Sequence, residues 1–236
     1  MALQITSKKT AAVALFSLIY LQTMLVLEKG FPLDRKISDM FFNFSCHAEN
    51  VRQCWLLDKS DKQLSFLLHH LPVHIYTAIG IVALCVLIAG FRHPWLRQYR
   101  ELSILTLVGL IVVPGIVAFL KANTGHFCPG QLAAYGGPVG VSGAVQPNPR
   151  CFPAGFPAGG FSFLVLCFGG VPAFWKRFGL YSGLGIGGVS SIVQIARGEH
   201  FVSHCLATLM TALFIGMLVY FFKEYWQGRT NALTDD

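Results

Sequence analysis

Arg197, His200 and His204 stand at spacing i, i+3, i+7 in "ARGEHFVSHC". On a helix that spacing puts all three on one face. One cation beside two imidazoles is a set suited to phosphate chemistry. Phosphate-ester hydrolysis needs positive groups around the oxygens and a nucleophile in line with the leaving oxygen, and charge stabilisation dominates the rate. Lys121 and Arg150, which flank a long Gly/Pro-punctuated loop, complete the set of cations with Arg197. A second stretch, "CFPAGFPAGGF" from Cys151 to Phe161, opens an apolar run with a Pro-Ala-Gly turn. Backbone N–H groups around Ala154–Gly155 would form an anion cradle there, and Gly155 would let the backbone approach a ligand closely. His200 is the candidate nucleophile, forming a phosphohistidine. His204 is the candidate for orienting its ring or moving protons. No metal or cofactor is required by this scheme. His126, His200 and His204 could together face zinc, but no matching carboxylate or thiolate spacing supports such a site.

The elements that must position these residues are apolar. The 236-residue chain is 54% hydrophobic and 12% charged, about half the charge of an ordinary soluble domain. Six apolar runs stand out: Ala11–Leu27, Val73–Phe91, Leu102–Leu120, Gly155–Trp175, Phe178–Ile195 and Phe201–Phe222. Each approaches the ~17–25 residues that a membrane span needs. The expected fold is therefore all-α: one polytopic domain over residues 1–236, six transmembrane helices in a bundle, and outside loops at 29–72 and 121–153. The fifth run is rich in Gly and Ser, which allow helix backbones to come close. Gln63–Pro72, "QLSFLLHHLP", is too short to span and reads either as an interfacial segment or as a loop touching the bundle. The first run lacks a small-x-small cleavage signal and reads as an uncleaved anchor. There is no internal repeat and no low-complexity tract.

Loop charge sets the expected orientation. With both termini cytoplasmic, the inner segments carry nine Lys/Arg against four acids (Glu101, Glu224, Asp235, Asp236). The other nine Lys/Arg and seven acids are spread over much longer outside loops. Cysteine usage agrees. Cys85, Cys167 and Cys205 lie within apolar runs, whereas Cys46 with Cys54, and Cys128 with Cys151, fall in two outside loops. Disulfides persist in an oxidising compartment, so both pairs are candidate bridges, with the pairing left open by sequence.

Lys121–Pro129 reads K-x6-C-P, Pro153–Phe156 reads P-A-G-F, and Gly198–His204 reads G-E-H-F-V-S-H. In order and spacing these resemble the three motifs of the type-2 phosphatidic acid phosphatase superfamily: K-x6-R-P, P-S-G-H and S-R-x5-H-x3-D. The resemblance spans Lys121 to His204, and the six runs and outward-facing motifs fit the family's membrane-bound members. It implies a bacterial inner-membrane enzyme with a periplasmic active site. Lipid A, undecaprenyl pyrophosphate or phosphatidylglycerophosphate would be the substrate class. The departures are specific. Cys128 stands where a phosphate-binding Arg is usual, Gln194 aligns with the third-motif Arg, and His204 replaces the Asp that orients the nucleophile. Phe156 replaces the second-motif His, which the resemblance implies protonates the leaving group. His126 is the substitute acid to consider, although nothing in the sequence ties it to that role.

The expected activity is thus hydrolysis or transfer of a lipid phosphate or pyrophosphate. The expected partners are that lipid and the bilayer, not nucleic acid. Two other classes remain open. A catalytically silent lipid-phosphate or partner binder is favoured by Phe156. A channel or transporter is disfavoured by apolar cores almost free of charge.

Overall fold

A computed structural model describes residues 2–30, 32–46, 51–145 and 147–234. The regular structure among these residues is helical, with no β-strand. Five helical stretches are long and apolar enough to cross a membrane: Ala11–Glu28, Lys62–Arg92, Pro94–Asn123, Ala173–Ala196 and Val202–Gln227. In hydrocarbon every backbone polar group must be satisfied within the chain, which is why runs of this composition become helices. We name the elements α1 (Ala2–Glu28), α2 (Pro32–Asp39), α3 (Lys62–Arg92), α4 (Arg100–Asn123), α5 (Pro157–Phe161), α6 (Ala173–Ala196) and α7 (Val202–Thr234).

The fourth apolar run departs from the expected full-length helix. Pro157 starts α5, which tightens at once into a 3₁₀ helix over Ser162–Phe168. The helical part, Pro157–Phe168, is shorter than 18 residues. At 1.5–2.0 Å per residue it spans roughly 20 Å, less than the ~30 Å hydrocarbon core. It can be short because it lies inside the bundle. Ala158, Phe161 and Phe163–Leu166 form the centre of the main core with Val113 and Val117 of α4 and Ala212 and Ile215 of α7. Glycines let the neighbours close around it. A Cβ on Gly160 would lie 2.7 Å from the Gly187 Cα, and one on Gly183 would lie 2.7 Å from Leu164 Cγ. Such close approach of small residues drives helix association in membranes.

Gln63–Pro72 also departs from both expected readings. It forms the first turns of α3. Asp61 caps them, its carboxylate accepting from the Gln63 and Leu64 N–H groups at 2.8 and 3.1 Å. Phe66–His70 is then a π turn, closed by the Leu71 N–H donating to the Phe66 carbonyl. Pro72 stands within the first turn of the α-helix that resumes, where a missing N–H is tolerated.

The ends of the bundle are tied differently. Glu101, at the start of α4, accepts from the Gly170 N–H and pairs with Lys223 of α7 at 3.3 Å. Toward the other end of α4, Glu28 at the end of α1 meets His126 at 3.3 Å. There the loop segments fold over the helix ends. Cys46–Cys54 and Cys128–Cys151 are disulfide-bonded, with Cα–Cα distances of 5.6 and 5.3 Å. Trp55 packs edge-on to Phe42 and against Tyr135, with ring centroids 5.1 and 5.2 Å apart. Tyr135 donates its hydroxyl to Asp39 at 2.8 Å.

The start of α7 is capped from far away in sequence. The buried Asp34 carboxylate accepts from the Ser203 N–H at 2.9 Å and from the Ser203 hydroxyl at 2.6 Å. A carboxylate is favoured there by the unpaired N–H groups and the helix dipole. Asp34→Ala would leave both Ser203 donors buried without that partner. It is expected to lower stability by about 2–3 kcal/mol, with Asp34→Asn losing less. Thermal unfolding in detergent measures this, and an Asp34→Ala protein as stable as the parent would contradict the capping role.

Candidate phosphate site at the bundle mouth

The turn between α6 and α7 carries the third motif. Arg197, His200 and His204 do not share a helical face as their spacing suggests, because α6 ends at Ala196 and α7 begins at Val202. Gly198, at φ +66°, stops α6. Its N–H donates to the Ile195 carbonyl at 2.9 Å, and the Glu199 N–H donates to the Gln194 carbonyl at 2.9 Å. This is the paired bonding of a Schellman C-cap. Glycine is required for a second reason, since a Cβ at Gly198 would collide with the Trp55 indole. The Gly198 carbonyl in turn accepts from the Gly130 N–H at 2.8 Å. Arg197 and His200 therefore sit on a clamped turn, and only His204 is on a helix.

That turn forms one wall of a cavity of about 300 Å³ lined by Lys59, Ser65, His69, His70, Lys121, Phe156, Gln194, Arg197, Glu199 and His200. Four of the residues singled out by sequence thus meet: Lys121, Phe156, Arg197 and His200. Lys121 comes from the end of α4, and its Nζ lies 3.7 Å from where a Cβ on Gly155 would stand. Arg197, only 6% exposed, donates from Nη2 to Ser65 Oγ at 2.7 Å. Its buried Nε has no hydrogen-bond partner, and neither has the buried Nε2 of Gln194. Lys59 is ion-paired with Glu199. His200 is 5% exposed, with Nδ1 3.2 Å from Cys151 Sγ.

Other expected members stand outside the cavity lining. Arg150 is exposed, because the Cys128–Cys151 bridge holds the backbone beside it while its side chain points to solvent. His204 contributes no hydrogen bond to the His200 ring. The two rings are 5.9 Å apart edge-to-face, and His204 Nδ1 is buried without a partner. Its ring packs edge-on against Phe152 and Phe201. Its main-chain carbonyl instead accepts from the Ala154 N–H at 3.0 Å, and Thr208 Oγ1 donates to the Ala154 carbonyl at 2.7 Å. Those bonds pin the second-motif turn to α7, and they remove Ala154 from the expected anion cradle with Gly155. His126 engages Glu28 rather than the cavity. Cys128, Cys151 and His200 form the one grouping of potential metal ligands among the described residues, but with the bridge closed neither sulfur is a thiolate.

Lys59, Ser65, His69, His70 and Glu199 were not marked by sequence spacing. Their only signal was the polar "HH" inside an apolar segment. His69 is the most telling of them: its ring stacks on Phe156 at 4.8 Å between centroids and 15° between planes. Phe156 also borders two apolar grooves. One, about 430 Å³, runs between α3 and α4 past Tyr76, Leu110 and Pro114. The other, about 350 Å³, runs between α3 and α6 past Leu68, Ile186 and Val189. No family model, curated protein or solved structure matches this chain.

Burial, the neighbouring His204 and the charge of Lys121 hold the His200 pKa well below 6.5, so the ring is neutral at physiological pH. In the unfolded chain His200 takes its proton near pH 6.5. Its contribution to stability is therefore level above about pH 6.5 and declines as pH falls from there toward the folded pKa. Replacing it with Asn is expected to flatten this acid limb of the stability profile. An acid limb identical in the two proteins would show that His200 protonates equally in both states.

Proposed function

We propose that this chain is a membrane-embedded phosphatase or phosphotransferase that acts on a lipid phosphate or pyrophosphate through a phosphohistidine on His200. The observation that carries the proposal is the meeting of Lys121, Arg197, Gln194 and His200 around one polar cavity. Two donors of these residues, Arg197 Nε and Gln194 Nε2, are buried without a hydrogen-bond partner. A lysine and an arginine gathered at one site favour an anion with several acceptor oxygens. A phosphoryl group meets that need. In this reading Lys121, Arg197 and Gln194 hold the phosphoryl oxygens. His200, with Nδ1 against the Cys151 sulfur, attacks through Nε2. The neutral ring that burial enforces is the nucleophilic form.

The lipid character of the substrate is supported by the two apolar grooves that meet the polar cavity at Phe156. A headgroup in the cavity would leave hydrocarbon in contact with hydrocarbon. The resemblance of the three motifs to the type-2 phosphatidic acid phosphatases supports the same class, and with it a bacterial inner membrane. We further infer six crossings, both termini cytoplasmic and the site periplasmic. α5 and the turn to Pro172 run between the end of the bundle that holds Phe156 and the end that holds Glu101, bonded through Gly170. Two disulfides at the Phe156 end favour an oxidising compartment on that side.

Phosphate release from a panel of lipid phosphates and pyrophosphates, by purified protein in detergent, tests the activity. His200→Ala is expected to abolish release together with any trapped phosphoenzyme. His204→Ala is expected to slow it less, because its ring makes no hydrogen bond to His200. Full activity in His200→Ala would overturn the mechanism. The second reading, a silent lipid-phosphate binder, is favoured by one observation, the phenylalanine at position 156. It would be selected by phosphate binding without release, in the unaltered chain and in Phe156→His alike. For the topology, cysteines placed at positions 140 and 199 are expected to react with an impermeant thiol reagent on intact spheroplasts. Labelling only after lysis would reverse the orientation.

A further inference from the structure

The leaving oxygen of a phosphate ester needs a proton, and the second-motif turn offers only a phenyl ring to supply it. The residues around the cavity narrow the choice of donor. Lys59 and Glu199 are engaged with each other. Lys121 and Arg197 are the cations that would hold the phosphoryl oxygens, and His200 is the nucleophile. The ring of His70 lies against Phe66 and edge-on to His69. His69 remains, and its ring is the one stacked flat on Phe156. The π turn at Phe66–His70 brings it there by widening the start of α3, so that Ser65, His69 and His70 all reach the same cavity. Such turns are frequent at functional sites.

We propose that His69 is the general acid–base of this site, set against Phe156 from a different helix; the proposal rests on the hydrolase reading above. In the first half-reaction His200 forms the N–P bond as the P–O bond breaks. The electron pair of that bond stays on the leaving oxygen, which takes the proton of the His69 imidazolium. In the second, neutral His69 accepts a proton from the water that attacks phosphorus. The N–P electron pair returns to His200 and inorganic phosphate leaves. The charged and titratable groups facing His69 are His70 on its own helix, Lys59 from the preceding loop, Lys121 from α4, and Arg197, Glu199 and His200 from the α6–α7 turn. The surplus of cations among them is offset when the phosphate dianion binds, which is when His69 must hold its proton.

Leaving-group dependence tests this role, because a group that only shapes the pocket would affect every ester alike. An alkyl phosphate needs its leaving oxygen protonated; nitrophenyl phosphate scarcely does. His69→Gln is expected to slow alkyl phosphate hydrolysis by about 10²-fold or more, and nitrophenyl phosphate hydrolysis by less than about 10-fold. Adding Phe156→His to His69→Gln returns an imidazole to the same stack and is expected to recover at least about 10-fold on the alkyl ester. Equal losses on both esters, or no loss on the alkyl ester, would overturn the acid role while leaving the hydrolase reading standing. If the unaltered protein hydrolyses neither ester, nor any lipid phosphate, the hydrolase reading falls and the acid role with it.

Discussion

Three cations, Lys59, Lys121 and Arg197, line one cavity together with a single carboxylate, that of Glu199. Like charges this close repel, most strongly where water is excluded. The cluster must therefore be held by the structure around it. Lys121 rides the end of α4, whose core residues Val113 and Val117 are fully buried. Arg197 is fixed by the Schellman turn at Gly198, by the Trp55 indole packed over that glycine, and by the bond to Ser65. Arg197 cannot swing away without breaking those contacts, and Lys59 has its counter-charge in Glu199.

The loop segments at this end of the bundle support the cavity. The Cys46–Cys54 bridge precedes Trp55, which backs the α6–α7 turn. The Cys128–Cys151 bridge sets a sulfur against the His200 ring. A disulfide sulfur fixes the ring by contact without adding negative charge, so burial and nearby cations keep His200 neutral. Asp34 anchors the start of α7 through Ser203, one residue before His204. The carboxylate at this helix start thus supports the scaffold.

The centre of the bundle shows how so short an element as α5 can be central. Pro157–Phe168 cannot reach across a membrane as a helix, yet most of its side chains are buried in the main core. Glycines on its neighbours let their backbones come within contact distance. Its start is tied to α7 through Ala154, which places Phe156 where the polar cavity meets the two apolar grooves.

Sequence alone determined the features that arise from local chemistry. Hydrophobic runs without charge specify helices, because a membrane leaves backbone groups no other partner. Lys121, Arg197 and His200 were marked as candidate site residues by charge and residue type, and the turn at Phe156 by its Pro-Ala-Gly pattern and the motif resemblance. Tertiary structure decided what depends on contacts between distant segments. Arg150 and His126 carry the right chemistry but point elsewhere, Arg150 to solvent and His126 to Glu28. Asp34 has no local signal, since its partner lies 169 residues away. Arg197 and His200 left the expected helical face because Gly198 turns the chain at positive φ, and Trp55, a residue of another loop, packs over that glycine. His69 sits in a segment that sequence read as either an interfacial stretch or a loop touching the bundle. Its place against Phe156 follows from the π turn and from helix packing, neither of which leaves a periodic trace in sequence.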